Sequence, residues 1–188
     1  REPNDMDKVG SLLKMNPPVR TQDHAEVLWQ GLREGFVDTL ATDHSPHTLE
    51  EKGSDIYGKL TKPAIWDCIS GFCGVETGVP LILTEVNKGR LTLNQYVKVA
   101  SENPAKVWQV YPKKGAIRLG SDGDITVVDM DKEGTIDVNK LHSKNKPSPW
   151  HGWKVKGMPI LTVVRGHVQM RDGEPCGKAI GKALKPLV

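Results

Sequence analysis

The sequence lacks the features that mark secreted, membrane-bound and nucleic-acid-binding proteins. Its three cysteines are odd in number and match no zinc-ligand or disulfide spacing, which fits a reducing cytoplasm better than a secreted fold. No apolar run is long enough to cross a bilayer, and the first residues lack a signal-peptide pattern. The net charge is +3, and the positive residues are mostly scattered along the sequence. No basic patch therefore indicates nucleic-acid binding. We therefore expect a cytoplasmic protein that binds neither membrane nor nucleic acid.

What the sequence does contain is enough apolar residues for a folded core. Hydrophobic residues make up 37% and charged residues 26%, which is typical of a globular protein and not of a disordered one. The 188 residues allow one domain, or one domain with pieces of another. Because the chain opens on Arg1 in a polar, loop-like stretch, we expect a fragment, a processed chain or an incomplete chain.

The first fifty residues predict a strand, a helix and a second strand. An apolar run at residues 10–15 stops at two prolines, as a strand entering a loop does. A helix is predicted to begin near residue 21, with Gly35 ending it, and the apolar run at 36–42 favours a strand. Polar residues 43–47 follow at the end of that strand, which is where an α/β barrel places its chemistry. One such unit cannot close a barrel alone.

The remaining chain predicts helices followed by short strands. Residues 48–74 are glycine-rich and irregular, as an active-site loop would be; helices are expected over 76–87, 91–100 and about 105–108. Strands are expected over 124–129, 160–164 and 166–170, with a tight turn at Arg165 and Gly166. We predict an α/β fold with part of a barrel at 1–112, part of a β-sandwich at 113–175 and a tail at 176–188.

Asp43, His44 and His47 form the cluster whose side chains are best suited to catalysis or metal binding. A carboxylate after a buried strand can bind a divalent metal or accept a proton from water. It can equally cap the following turn, with both histidines as polar loop residues, and spacing alone leaves the two interpretations open.

Several motifs resemble those of the dihydroorotase, allantoinase and hydantoinase group of cyclic amidohydrolases. Residues 14–20 (KMNPPVR) and 41–47 (ATDHSPH) resemble its paired signature. Further blocks follow in the same order, and the resemblance covers roughly residues 10–175. They are GVET at 74–77, NPAK at 103–106, GSDGD at 120–124, HSK at 142–144 and TVVRG at 162–166.

This resemblance implies a metal-dependent hydrolase on a (β/α)₈ barrel with a flanking β-sandwich, holding one or two Zn²⁺ ions. Asp43 matches the residue that ends the eighth strand, touches the metal and acts as general base and then general acid. Asn16 and His47 match positions that hydrogen-bond the substrate. From the residues alone, Asn16 can also be a turn residue before prolines, and His47 a surface loop residue.

The sequence departs from the family pattern because most of the active site is absent. The resemblance implies an H-x-H pair, a metal-bridging lysine and two more histidines, none of which this sequence contains. We therefore expect the remaining zinc ligands in a missing N-terminal segment of the same enzyme. The isolated chain is expected to be inactive, and the full enzyme to be a homo-oligomer.

The substrate prediction is dihydroorotase-like, with dihydroorotate and N-carbamoyl-aspartate interconverted in pyrimidine biosynthesis. Residues 69–71 read Ile-Ser-Gly where dihydroorotases often have Pro-Phe-Gly, and Ser45 occurs in allantoinases, so a generic cyclic amide is the firmer expectation. The alternatives are an allantoinase-like ureide hydrolase and a non-catalytic, dihydroorotase-like assembly protein.

Overall fold

Helices occupy the first part of the chain and β-strands the last part. The structure is a computed structural model that describes residues 1–187. Its α-helices are α1 (Met6–Val9), α2 (Gln22–Glu34), α3 (Leu49–Lys52), α4 (Val75–Asn87), α5 (Leu93–Val97) and α6 (Asn103–Val107). Its strands are β1 (Ile125–Thr135), β2 (Lys154–Val164), β3 (His167–Arg171) and β4 (Glu174–Pro175). Among residues 1–187, no helix combines the length and apolar character needed to cross a membrane.

The described residues divide into two compact units, each assembled from separate stretches of chain. The first unit contains residues 1–29, 42–79 and 135–154, and the second contains the rest. Because neither unit is a continuous segment, the domain boundaries predicted at residues 112 and 175 stay a prediction.

The first unit packs short helical turns and loops around a small core. A 3₁₀ turn at Gly10–Leu13 is buried, and α3 begins at Thr48, whose hydroxyl accepts from the Glu51 backbone N–H while the Glu51 carboxylate accepts from the Thr48 backbone N–H. This reciprocal capping explains why so short a helix forms after the polar cluster. The apolar core residues are Leu12, Leu13, Cys68, Cys73, Ile136 and Val138.

The second unit combines the helices after α4 with a four-stranded sheet. The strand order is β1-β2-β3-β4, and β2 and β3 are antiparallel with a register shift between Thr162 and Val163. The α5 helix begins with a capping box between Thr92 and Gln95, and a π-helical turn at Lys98–Glu102 links it to α6. The core includes Leu83, Leu91, Val99, Ala105 and Val155.

The sequence prediction of two strands in the first fifty residues was wrong for this chain. Residues 10–13 form the 3₁₀ turn, and residues 36–42 have no regular structure in the described chain. A parallel strand needs neighbouring strands to satisfy its backbone groups, and the described sheet lies entirely after residue 124. The backbone N–H of Leu40 instead donates to the Val99 carbonyl at 2.9 Å.

The predicted helices and later strands are confirmed. The helix expected over 76–87 is α4, the one expected over 91–100 is α5 with its π-helical extension, and α6 covers the third. The three predicted strands correspond to β1, β2 and β3, although β1 and β2 extend to 11 residues each. Arg165 and Gly166 both have positive φ, as a tight hairpin turn requires.

Candidate active site

Asp43 lies on an exposed turn whose backbone is held in the left-handed region. Its φ is 44°, a conformation that aspartate tolerates better than most residues, and its side chain is exposed. The turn packs against the start of α4, where a Cβ added to Gly74 would lie 3.0 Å from the Thr42 carbonyl oxygen. Glycine at that position therefore permits the close approach that sets the direction of the Asp43 backbone.

His44 fixes the same turn through its ring. Its Nδ1 accepts hydrogen bonds from the backbone N–H groups of Gly74 at 3.1 Å and Val75 at 3.2 Å, at the N-terminus of α4. Because Nδ1 accepts, the neutral ring carries its proton on Nε2. The sequence allows His44 to be either a ligand or a polar loop residue, and the structure gives it this anchoring contact.

After the turn, the backbone at Ser45 packs closely against a second glycine, Gly71. The Ser45 N–H donates to the Phe72 carbonyl at 3.1 Å. Gly71 has φ 114°, and a Cβ there would lie 2.7 Å from the Ser45 hydroxyl oxygen. Residues 71–74 thus contact the Asp43 turn from one side, and we call them the 71–74 ledge.

His47 is half-buried, and each of its ring nitrogens has a polar neighbour. Its Nε2 lies 3.1 Å from the Ser45 hydroxyl, and its Nδ1 lies 3.5 Å from the Glu51 carboxylate. These contacts hold the ring beside the first turn of α3 and give it an acidic neighbour.

Asn16 lies on an exposed loop and precedes a cis peptide bond to Pro17. The loop is tied to the 71–74 ledge because the Lys14 carbonyl accepts from the Gly71 N–H at 2.9 Å. The structure therefore brings Asn16, Asp43 and His47 into the same compact unit. Within the described chain, no hydrogen bond or ion pair joins any two of these three side chains.

Glu76 has a contact that the sequence did not predict. Its position in the first turn of α4 favours an interaction with the helix dipole. The structure adds hydrogen bonds to its carboxylate from the His142 N–H at 2.8 Å, the His142 ring at 2.9 Å and the Ser143 N–H at 3.0 Å. Burial opposes ionisation, yet the bonds from His142 and Ser143 hold the pKa of Glu76 below its ordinary value. Two motif blocks separated by 66 positions are joined in this way.

Residues 1–187 do not make a metal site by themselves. Across residues 1–187, no group of three or more histidine, cysteine, aspartate or glutamate side chains could hold a metal ion. Asp43 offers one exposed carboxylate, whereas a zinc site needs three or four protein ligands. A cavity of about 250 Å³ is lined by residues such as Thr48, Val138 and Asn145, and none of the three predicted site residues lines it.

Comparison with known proteins places the chain in a family. The amidohydrolase family matches residues 10–169, which is most of the sequence. The chain belongs to the amidohydrolase family. This confirms the resemblance seen in the motifs and the fold class predicted from it, a part of an amidohydrolase barrel protein.

Similar amidohydrolases carry two different names. An L-hydantoinase of Paenarthrobacter aurescens is 39% identical over 175 residues, covering 91% of this chain and 36% of that protein. A dihydroorotase of Geobacter sp. (strain M21) is 42% identical over 160 residues, covering 85% and 35%. The solved L-hydantoinase (dihydropyrimidinase) from Arthrobacter aurescens has a TM-score of 0.86 at 38% identity, covering 95% of this chain and 38% of that one. The chain therefore spans little more than a third of the length of these amidohydrolases.

Proposed function

We propose that this chain belongs to an enzyme that hydrolyses a C–N bond of a cyclic amide ring, and that it carries part of the active site. The observation that carries the proposal is the Asp43 turn. An exposed carboxylate stands on backbone that His44 and the glycines of the 71–74 ledge hold in place. The names of the similar proteins, L-hydantoinase and dihydroorotase, support cyclic amides as the substrate class.

In this proposal Asp43 carries protons during ring opening. As a carboxylate it takes a proton from the attacking water, and as an acid it delivers that proton to the leaving ring nitrogen. Asn16 and His47 hydrogen-bond the substrate and orient the ring. The exposure of Asn16 and the half-buried, bonded ring of His47 are compatible with these roles.

We include one or two zinc ions in the proposal because the family resemblance implies them. When bound, such a metal supplies hydroxide near neutral pH. This chain contributes at most the Asp43 carboxylate, and the other ligands would come from a missing N-terminal segment of the same enzyme. A homo-oligomer in the cytoplasm completes the proposal for the whole protein.

Two substrate types are favoured within this class. Dihydroorotate is the first, because a dihydroorotase is 42% identical to this chain. A hydantoin ring is the second, because an L-hydantoinase has the same fold over 95% of the chain. An allantoin-like ureide and a non-catalytic assembly role remain the sequence-based alternatives.

The test is a ring-opening assay of this chain with and without the N-terminal segment, using dihydroorotate, a substituted hydantoin and allantoin. We expect activity only with the segment present. Asp43→Asn should then lower kcat by roughly a hundred- to ten-thousandfold, because proton transfer by a side chain contributes about that much.

The matched control is Asp67→Asn, an exposed aspartate in the 48–74 loop of the same unit, which should leave kcat unchanged. Full activity of the Asp43→Asn protein would contradict the proton-transfer role. Absence of ring opening with all three substrates, in a completed protein that binds metal, would favour the non-catalytic alternative.

A further inference from the structure

Lys52 is a charged side chain buried in the first unit, and among residues 1–187 no carboxylate forms an ion pair with it. It is the last residue of α3 and is 1% exposed. Its ammonium donates to three backbone carbonyls, those of Lys14 at 3.0 Å, Ile69 at 3.2 Å and Gly71 at 2.8 Å. Burying an ammonium is costly unless its hydrogen bonds are made. The three carbonyls directed at this nitrogen satisfy its three N–H groups and form a specific binding site for the ammonium.

The three carbonyls belong to the backbone that carries the candidate site. Lys14 lies two residues before Asn16, and its carbonyl also accepts from the Gly71 N–H. Gly71 precedes Phe72, whose carbonyl accepts from the Ser45 N–H in the Asp43 turn. Lys52 therefore bonds directly to the Asn16 loop and to the ledge beneath Asp43. We call Lys52 with these three carbonyls the Lys52 clamp.

Two further lysines, Lys14 and Lys62, and the thiol of Cys68 lie around the clamp. The Lys14 ammonium donates to the carbonyls of Ile65 and Cys68, which extends the same loop, and the Cys68 thiol is buried beside Lys52. On the outer side, Lys62 donates to the carbonyls of Glu51 and Asp67. The Glu51 carboxylate, the nearest in sequence, is engaged by Thr48 and His47.

We propose that Lys52 is a positioning residue of the candidate active site. Its ammonium holds the Asn16 loop and the ledge under the Asp43 turn in the arrangement that receives the cyclic amide. This inference rests on the proposed function, because it assigns the held backbone to substrate binding. Without the clamp, the Ile69 and Gly71 carbonyls lose this donor, the Lys14 carbonyl keeps only the Gly71 N–H, and Asn16 loses its fixed distance from the turn.

The charge on the clamp adds a second expectation. Burial lowers the pKa of the Lys52 ammonium to about 8, with Cys68 opposing this shift and Lys14 adding to it. A neutral amine has two N–H donors for three carbonyls, so above that pH the clamp loses one of its three hydrogen bonds. Substrate binding should therefore weaken as the pH rises through about 8.

The first experiment measures the clamp without any need for activity. Amide hydrogen exchange is followed in the chain with Lys52→Met, and with Lys62→Met as the matched control in the same loop. We expect Lys52→Met to speed exchange at the Gly71 and Ser45 N–H groups on the order of tenfold, since their acceptors lie on the released backbone. The Leu40 N–H, in the second unit, serves as the internal reference. Equal exchange in both variants would overturn the inference.

The second experiment separates positioning from simple loss of folded protein. In the completed enzyme, Lys52→Met should raise KM on the order of tenfold and remove the alkaline rise of KM, while Lys62→Met changes neither. A merely structural role would reduce the amount of active enzyme, lowering kcat and leaving KM and its pH profile unchanged, and that result would overturn the inference. If the unaltered enzyme opens no cyclic amide, the proposed function fails, and the exchange experiment still decides whether the clamp exists.

Discussion

Glu76 shows how one side chain can join two distant motifs of this chain. Its carboxylate accepts from backbone and ring N–H groups of residues 142–143 while standing in the first turn of α4. Hydrogen bonds to a charged acceptor contribute more than neutral ones, and a helix N-terminus favours negative charge. The contact therefore fixes the start of α4, on which the Asp43 turn also rests.

We predict that Glu76→Gln lowers the free energy of unfolding by about 1.5–3 kcal/mol at neutral pH, the range for hydrogen bonds to charged groups. The native pKa of Glu76 is below its ordinary value of 4.5, so in acid the unfolded chain takes up this proton first. The stability that Glu76 contributes is thus fully present above the ordinary pKa of 4.5 and is lost as the pH falls through the lower native pKa. Urea unfolding of both proteins across this range measures the difference.

The difference between Glu76→Gln and the unaltered chain should shrink as the pH falls below 4.5. Glu133→Gln, an exposed glutamate on β1, is the control and should match the unaltered chain at every pH. A difference for Glu76→Gln that stays constant with pH would show that ionisation of Glu76 is not linked to folding.

At the candidate site, the residue types could be predicted from the sequence and their anchoring could not. Asp43, Asn16 and His47 stand in recognisable motifs, and the structure places all three in the first unit. The partners of His44 and Lys52 are backbone groups far along the chain, and a backbone carbonyl or N–H has no sequence signature. Such contacts follow only from the folded path of the loops.

At the scale of elements, contact between α4 and β2 organises the second unit. The Lys156 N–H donates to the Thr84 hydroxyl at 2.9 Å, and the Asn87 side-chain amide donates to the Lys156 carbonyl at 3.0 Å. Next to them, Gly157 allows the strand to pass directly against Leu83, which is fully buried. Helix and strand approach this closely because position 157 has no side chain.

We predict that Gly157→Ala destabilises the chain by about 2–4 kcal/mol, combining left-handed strain with overpacking. Gly157 has φ 97°, and an added Cβ would lie 2.8 Å from the Leu83 Cβ. Gly166→Ala, in the turn between β2 and β3, is the control, because Gly166 has φ 79° and a Cβ added there would have no atom within 4 Å. The control should cost only about 1–2 kcal/mol. Equal losses in thermal or urea unfolding would show that the close approach to Leu83 carries no energy.

Helices α4 and α5 were predicted because they depend on residues within a few positions of each other, whereas the elements that need distant partners were not. Helix α3 is equally local, with a capping box between Thr48 and Glu51, yet it lies in the stretch 48–74 that was expected to be irregular, so that expectation was wrong for residues 49–52. The apolar runs at 10–15 and 36–42 have strand-like composition, yet strands exist only when other strands pair with them. Within the described residues those partners are absent, and the runs form a 3₁₀ turn and an irregular segment instead.

For the whole molecule, the decisive quantity is how much of the relatives' length this chain covers, 36% of the L-hydantoinase and 35% of the dihydroorotase. Metal affinity depends on the number of ligands and on their preformed geometry. In the proposed site, Asp43 would supply one ligand on a fixed turn, which is fewer than a zinc site needs. The proposed enzyme therefore differs from an independent domain in needing a further segment to bind metal.

We predict that this chain alone binds Zn²⁺ at least about a hundredfold more weakly than the chain combined with the N-terminal segment, because ligand count sets affinity. Asp43→Asn should weaken binding in the combined protein and change nothing in the chain alone, where Asp43 has no co-ligands among residues 1–187. Titration calorimetry of the four samples measures both effects. If the chain alone binds one equivalent tightly, the ligands lie within this chain and the divided site is wrong. If Asp43→Asn leaves the combined affinity unchanged, Asp43 serves proton transfer without touching the metal.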